Sequence, residues 1–472
     1  MNAIKKSLRD SAVARWSALA IVSFTMFCGY YMADVMAPLK GLLEQQLTWN
    51  SAQYGFFTSA YGWFNVFLFM LIIGGIILDK LGVRFTGVGA AAIMVLGTVI
   101  KYWAISTNSL DGVTWHILWF DTNAQVFMAA IGFAIFGVGV EVAGITVTKI
   151  CVRWFKGKEL ALAMGLQVAV ARLGTALAIG VALPVALRLD DVSKPVLFGL
   201  IMLCIGLTAF IIYTFMDKKM EEAELEIAKE KAAKPGFVEE EEESFKISDI
   251  KYIITNRGWW YLAFLCVLFY SAVFPFLKYA ADLMVQKFNV SDELAGWIPA
   301  MLPFGTILLT PLFGNIYDRR GKGATIMIIG SIMLILVHAL FAVPFLNHWF
   351  IAIFLTIILG IAFSLVPSAM WPAVAKIIPD RYLGTAYSLI FWVQNWGLMG
   401  VPALIGWVLQ KYCITGTVIK NGTEVATYDY TLPMIIFTLF GVIALVFAYL
   451  LKSEDKLKRY GLQLPNIEKI DK

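Results

Sequence analysis

The chain has 472 residues, of which 60% are hydrophobic and 15% charged, with a mean hydropathy of +0.75 and a formal net charge of +5. These values exclude an ordinary water-soluble domain, and a basic excess spread between hydrophobic runs, rather than gathered on one soluble face, excludes nucleic acid as a partner. A hydrocarbon core of roughly 30 Å needs about 20 apolar residues per helix. Many uninterrupted runs of that length occur, and the alternating segments of a β-barrel do not, so the spans are helices in a lipid bilayer.

Lys5, Lys6, Arg9 and Arg15 precede an apolar stretch from Trp16 that is too long for a signal-peptide core and has no cleavage-like end, so it stays as the first span. Twelve spans are predicted, centred in 16–39, 51–78, 86–105, 124–148, 160–187, 195–216, 258–283, 293–316, 324–346, 349–375, 383–410 and 431–451. Between the sixth and seventh lies a linker, 217–257. A charged stretch of helical composition, Lys218 to Lys234, meets Pro235-Gly236 and the acidic run Glu239–Glu243, and residues 245–255 form an amphipathic surface segment. The domains expected are a six-helix bundle in 1–216, the linker in 217–257, and a second bundle with a tail in 258–472. Lys and Arg divide as 29 on the face of the termini, 7 on or near the other face and 2 (Arg172, Lys278) inside spans, which puts both termini in the cytoplasm. In 412–430, Asn421-Gly422 between β-favouring stretches predicts a hairpin on the outer side.

Gly75, Asp79, Lys80, Gly82 and Arg84 follow span 2, and Gly314, Asp318, Arg319, Arg320, Gly321 and Lys322 follow span 8. The two stretches match at corresponding places in two halves, as in a duplicated transporter with its substrate site between the repeats. This pattern resembles the signature of the major facilitator superfamily. The resemblance implies an all-α membrane fold of twelve transmembrane helices in two pseudo-symmetric six-helix bundles. Tyr30-Tyr31 with Asp34, SAYGWFNV at 59–66, AVFPF at 272–276, MWPAVA at 370–375, and LGTAYSL at 383–389 with Gln394-Asn395 are similar to the lysosomal dipeptide-transporter branch and its microbial relatives.

Ionisable groups within spans are expensive and mark function by default. Glu141 lies about 15 Å of helix before the loop joining spans 4 and 5, and Arg172 about 19 Å after it. One reading is a buried ion pair that only fixes packing. In the other, Glu141 holds a substrate ammonium and Arg172 a carboxylate, a clamp for a zwitterion; the branch resemblance implies the same two roles. Tyr30, Tyr61, Tyr270, Trp371, Trp392, Gln394 and Asn395 are further substrate-binding candidates, and two adjacent amides in mid-span need partners. Nearer the outer side, Asp34 or Asp282 is expected to pair with Lys278 as a gate; the alternative is a local Lys278–Asp282 pair. The resemblance implies that the loops carrying Asp79, Arg84, Asp318 and Arg319 latch the cytoplasmic side.

The five cysteines read as apolar filler, and His116 and His338 as hydrogen-bonded structural groups. No metal site or cofactor is proposed, and no catalytic motif points to an enzyme. Phe133 stands before Gly137-Val-Gly139, where proton-coupled superfamily members often carry arginine, and the branch resemblance implies uniport of a dipeptide by alternating access. A proton-coupled or uniport carrier of small organic anions or amino acids is the alternative. A monomer in the plasma membrane is expected; the lysosomal members work with a glycosylated accessory protein. Phe64 and Lys278 depart from what that branch usually carries.

Overall fold

The computed structural model describes residues 8–117, 120–155, 158–232, 247–420 and 422–466. The first half begins with α1 (Ala12–Asp34), α2 (Lys40–Leu47), α3 (Ser51–Ser59), a 3₁₀ turn (Ala60–Gly62), α4 (Trp63–Phe67) and α5 (Met70–Ser106). A hairpin of β1 (Thr114–Ile117) and β2 (Phe120–Asn123) leads to α6 (Ala124–Phe155), α7 (Leu160–Leu189) and α8 (Lys194–Ala232). After α9 (Ile247–Ile254), the second half comprises α10 (Arg257–Phe288), α11 (Asp292–Ala295), α12 (Trp297–Arg320), α13 (Gly323–Ala342), α14 (Trp349–Ile377) and α15 (Leu383–Tyr412). It closes with the antiparallel strands β3 (Ile414–Lys420) and β4 (Thr423–Tyr428) and the helix α16 (Thr431–Lys458).

Among the described residues, 11 helices are long and apolar enough to cross a membrane. The twelfth crossing is hidden inside α5, where Gly82 takes φ 75° and ψ 175°, a region open to glycine and strained for other residues. The chain reverses there. A Cβ on Gly74 would meet Val142, and one on Gly139 would meet Ala90 and Met94, so both arms of α5 pass the same level of α6.

The second crossing is also broken above that reversal, at the 3₁₀ turn and again at Phe69, which adopts φ 53°. Irregular backbone within a membrane persists only where protein packs against it. Here Asn65 Nδ2 donates to the Gly137 carbonyl at 3.3 Å, and the indole of Trp392, from the other half, donates to the Val66 carbonyl at 3.1 Å. The close approach depends on Gly137, since a Cβ there would come within 2.2 Å of the Tyr61 carbonyl oxygen. The same economy of side chain joins α5 to α6 at Gly97 and Gly132, each packed directly on the other helix's backbone.

The first and last described segments lie at one end of the molecule, here called the termini face. Arg15 at the start of α1 donates to Glu159, which precedes α7, at 3.2 Å, and Tyr460, after α16, donates to Asn256, which caps α10, at 3.3 Å. The opposite end, the distal face, carries both hairpins. The one after α15 falls where the sequence predicted it, with Gly422 at φ 83°; Asn421 lies outside the described residues. The β1–β2 hairpin was not predicted, because a four-residue strand pair with no turn dipeptide leaves little local signal.

The charged stretch of helical composition continues the sixth crossing, so that helix α8 runs to Ala232; an Ala-, Glu- and Lys-rich stretch without Gly or Pro continues a helix readily. The amphipathic segment forms α9, while Pro235-Gly236, Glu239–Glu243 and residues 245–246 lie outside the described residues. The cysteines are unpaired. His338 bonds the Ala272 carbonyl at 2.9 Å, and exposed His116 bonds Asp121 at 2.7 Å.

Gly137→Ala must displace the Tyr61 segment, and overpacking of this kind costs about 1–3 kcal/mol. A lowered unfolding temperature in detergent is expected for Gly137→Ala, against little change for Gly89→Ala, where a Cβ meets nothing within 4 Å; equal melting temperatures would refute the packing argument.

Candidate functional site

The break in the second crossing positions the first functional group. Tyr61 lies on the 3₁₀ turn and its phenol donates to Glu141 Oε1 of α6 at 2.7 Å. Glu141 and Arg172 both sit on membrane-spanning helices and are partly buried. They do not pair. Among the described residues no carboxylate lies within 4 Å of the Arg172 guanidinium, which instead stands over three aromatic rings: Tyr30 at 5.8 Å, Phe274 at 5.2 Å and Phe363 at 5.3 Å. The first ring belongs to α1 and the other two to α10 and α14, so Arg172 looks across the space between the halves.

Tyr30 connects the two charges, since it lies within electrostatic reach of Arg172, Glu141 and Asp34. Tyr270 of α10 reaches Arg172 from the other half and accepts a bond from the Trp371 indole at 3.1 Å. Trp371 is held in turn by Phe391, stacked at 4.8 Å, and by the Tyr387 phenol, which donates to its carbonyl at 2.9 Å. Glu141, Arg172, Tyr30, Tyr61, Tyr270 and Trp371 therefore form one connected set. An anion-binding guanidinium walled by aromatic faces, with a carboxylate held apart from it, can receive a positive and a negative group at once.

The remaining candidates lie differently. Trp392 bridges the halves at the broken crossing and stacks on Phe69 at 5.3 Å. Gln394 is buried and accepts a weak bond from the Cys266 thiol at 3.8 Å. Asn395 donates to the Phe391 carbonyl of its own helix at 2.9 Å, leaving a buried Oδ1 without a partner.

On the distal side, Lys278 Nζ contacts Asp34 Oδ1 at 2.6 Å and the Ala33 carbonyl at 2.7 Å, while Thr175 of α7 holds the other carboxylate oxygen at 2.8 Å. This pair ties α1 to α10. The local Lys278–Asp282 pair does not form. Asp282 instead accepts from Lys40 at 2.9 Å and from the Tyr430 phenol, and Lys40 also bonds Glu44 at 2.8 Å. Lys40 and Glu44 were missed because they fall at the end of the first apolar run, where charges read as solvated flanks. Lys101 was missed for the same reason. It is fully buried, donates to the Met32 carbonyl at 3.2 Å, and sits over the Phe133 ring at 4.8 Å.

The repeated loops at the termini face bond within their own halves. Asp79 contacts Lys149 at 2.7 Å, and Arg84 contacts Asp217 at 3.8 Å and also Glu221. Asp318 bonds the chain's own tail, accepting from Asn466 Nδ2 at 2.7 Å, and Arg319 is exposed. Besides the Trp392–Val66 bond at the broken crossing, direct bonds between the halves gather distally among the described residues: Lys278–Asp34, Lys40–Asp282, Tyr54 to the Lys278 carbonyl at 2.8 Å, and Ser51 N–H to Gln410 at 3.1 Å.

Known proteins agree with this architecture. The chain is 28% identical over 402 residues to the lysosomal dipeptide transporter MFSD1 of Danio rerio, covering 83% of this chain and 80% of that protein. It is 26% identical over 407 residues to the human protein of the same name, covering 84% and 80%. Among solved structures, a mutant form of nucleoside transporter NupG superposes with a TM-score of 0.67 at 16% identity, covering 92% of this chain and 98% of that one. An inward-facing, unoccupied bacterial homologue of the human lysosomal transporter Spinster superposes with a TM-score of 0.66 at 12% identity, covering 95% and 98%. The profile of the Major Facilitator Superfamily matches residues 19–283 and 262–463, nearly the whole length, and the chain belongs to that family of multi-pass membrane transporters.

Proposed function

We propose that this transporter carries dipeptides by alternating access as a uniporter, with Glu141 receiving the substrate ammonium and Arg172 its carboxylate. The observation that carries the reading is the separation of these two charges: Arg172 has no carboxylate within 4 Å among the described residues, and Glu141 is bonded by Tyr61 alone. A packing ion pair would have joined them. The relatives that are named dipeptide transporters support the same substrate class. Residues 1–216 and 258–472 act as the two moving bodies, and the seven-against-29 division of Lys and Arg supports a cytoplasmic termini face. We assign the carrier to the plasma membrane as a monomer; its relatives are named lysosomal, and tagged protein imaged in its own cells tests the assignment.

The second reading, a small organic anion held by Arg172 alone, rests on the aromatic walls around the guanidinium. A ligand that binds the native state raises its melting temperature by mass action. Stabilisation by dipeptides is expected in the parent and absent from both Arg172→Ala and Glu141→Gln. Stabilisation by monocarboxylates that survives Glu141→Gln would replace the dipeptide reading with the anion one. In liposomes, Asp79→Asn should slow dipeptide uptake several-fold while leaving the thermal shift intact, because the Asp79–Lys149 contact lies far from the ligand; an unchanged rate refutes a latch.

Removing one partner of a buried pair costs about 3–5 kcal/mol. Lys278→Ala should therefore open the distal mouth and speed labelling of Met36→Cys, otherwise 2% exposed, by an impermeant thiol reagent from that side. Equal labelling in parent and variant removes Lys278–Asp34 as the gate.

A further inference from the structure

The distal closure contains a second charge cluster that substrate binding does not use. Lys40, fully buried, faces two carboxylates, Glu44 and Asp282, each 7% exposed. Sealed with all three groups ionised, the cluster carries one excess negative charge in a low-dielectric setting, where an uncompensated charge is strongly disfavoured. The two carboxylates are not equally supported. Asp282 Oδ2 accepts from Lys40 and Tyr430, and its Oδ1 from Gln286 at 3.4 Å. Glu44 takes all its bonds on Oε1, from Lys40 at 2.8 Å, Ser51 at 3.1 Å and Tyr428 at 3.1 Å. Its Oε2 is buried without a partner.

The other neighbours do not cancel the excess. Tyr428, on the hairpin, has its phenol pushed up to about 12 by burial, and burial raises Tyr430 too, so both remain neutral donors. Tyr54 of α3 and Tyr279 of α10, edge to face at 5.4 Å, bring phenols rather than a formal charge. Asp34 and Lys278 neutralise each other, and Lys420 and Asp292 pair at 3.1 Å near the surface. Lys101 has Lys278 and Asp34, rather than Glu44, as its charged neighbours. A cavity of about 50 Å³, lined by Glu44, Asp282 and Gln286 and by Val418 and Lys420 of the distal hairpin, lies against the cluster. It has room for water beside the carboxylates.

We propose that Glu44 is a proton-binding site: closing the distal mouth takes up one proton onto its carboxylate from water on the distal side, and opening returns it to that side. The proton does not cross the membrane, so transport remains uniport while its distal gate responds to distal pH. By linkage, a state that binds one extra proton is favoured as pH falls. Acid closes the mouth and alkali opens it. The inference concerns the gate of a transporter of this family and stands whatever the substrate.

The test uses no substrate. Spin labels on Arg188→Cys and Lys411→Cys, both exposed at the distal ends of α7 and α15, report the mouth in liposomes by double electron–electron resonance, with exposed Cys204 replaced by serine. In the parent, the open-to-closed ratio should rise tenfold per unit of distal pH above the midpoint, within about pH 5–9, the slope of one linked proton. Glu44→Gln should be closed and flat across that range. No slope in the parent overturns the proposal without any variant. A slope that survives Glu44→Gln, one that disappears only in Asp282→Asn, or one that follows pH on the termini side overturns it as well.

Discussion

Charge buried between two bodies that must separate is the constraint on which this structure turns. An ion removed from water has to be paired, hydrogen-bonded or neutralised, and here the pairing partners are placed on opposite halves. Lys278 of α10 reaches Asp34 of α1, and Asp282 of α10 reaches Lys40 of α2. Both pairs join helices of opposite halves through groups that water can solvate. A purely apolar seam would close as tightly but would offer no groups for water to solvate on opening.

The proposed substrate region follows the opposite rule. Glu141 and Arg172 lie in adjacent antiparallel helices, α6 and α7, and are kept apart. Tyr61 occupies Glu141 from the broken second crossing, and aromatic rings from α1, α10 and α14 surround Arg172. An aromatic face attracts the guanidinium weakly compared with a carboxylate, so a ligand carboxylate displaces little. The break that places Tyr61 is possible because Gly137 admits the Tyr61 backbone and Trp392 satisfies a carbonyl that the helix has released. A glycine on one helix and an indole from the other half thus hold the carboxylate side of the site in position.

The proposed gate and the proposed site share α1, which carries Tyr30 and, one turn later, Asp34. The distal hairpin is tied to the gate as well, since Tyr428 bonds Glu44 and Tyr430 bonds Asp282. The tail on the termini face has a different attachment, bonding Asp318 through Asn466. The two copies of the repeated loop therefore differ in what they hold, although their sequences match.

Span number, helical character, the duplicated loops and the distal hairpin at 414–428 were legible because each rests on a local or periodic signal: twenty apolar residues, a matching Gly–Asp–basic pattern, an Asn-Gly turn. Glu141, Arg172 and Lys278 stood out in the sequence because a charge deep within an apolar run is expensive. Lys40, Glu44 and Lys101 sit at the margins of such runs, where a charge that faces water and a charge that faces the core have the same sequence. The composition of this chain determined that it crosses a membrane as helices. Only the tertiary structure decided that Asp34 rather than Asp282 meets Lys278, that Glu141 and Arg172 stay apart, and that the second crossing is broken. Those outcomes depend on how helices rotate and pack across the interface between halves, and no period or spacing within one segment encodes that rotation.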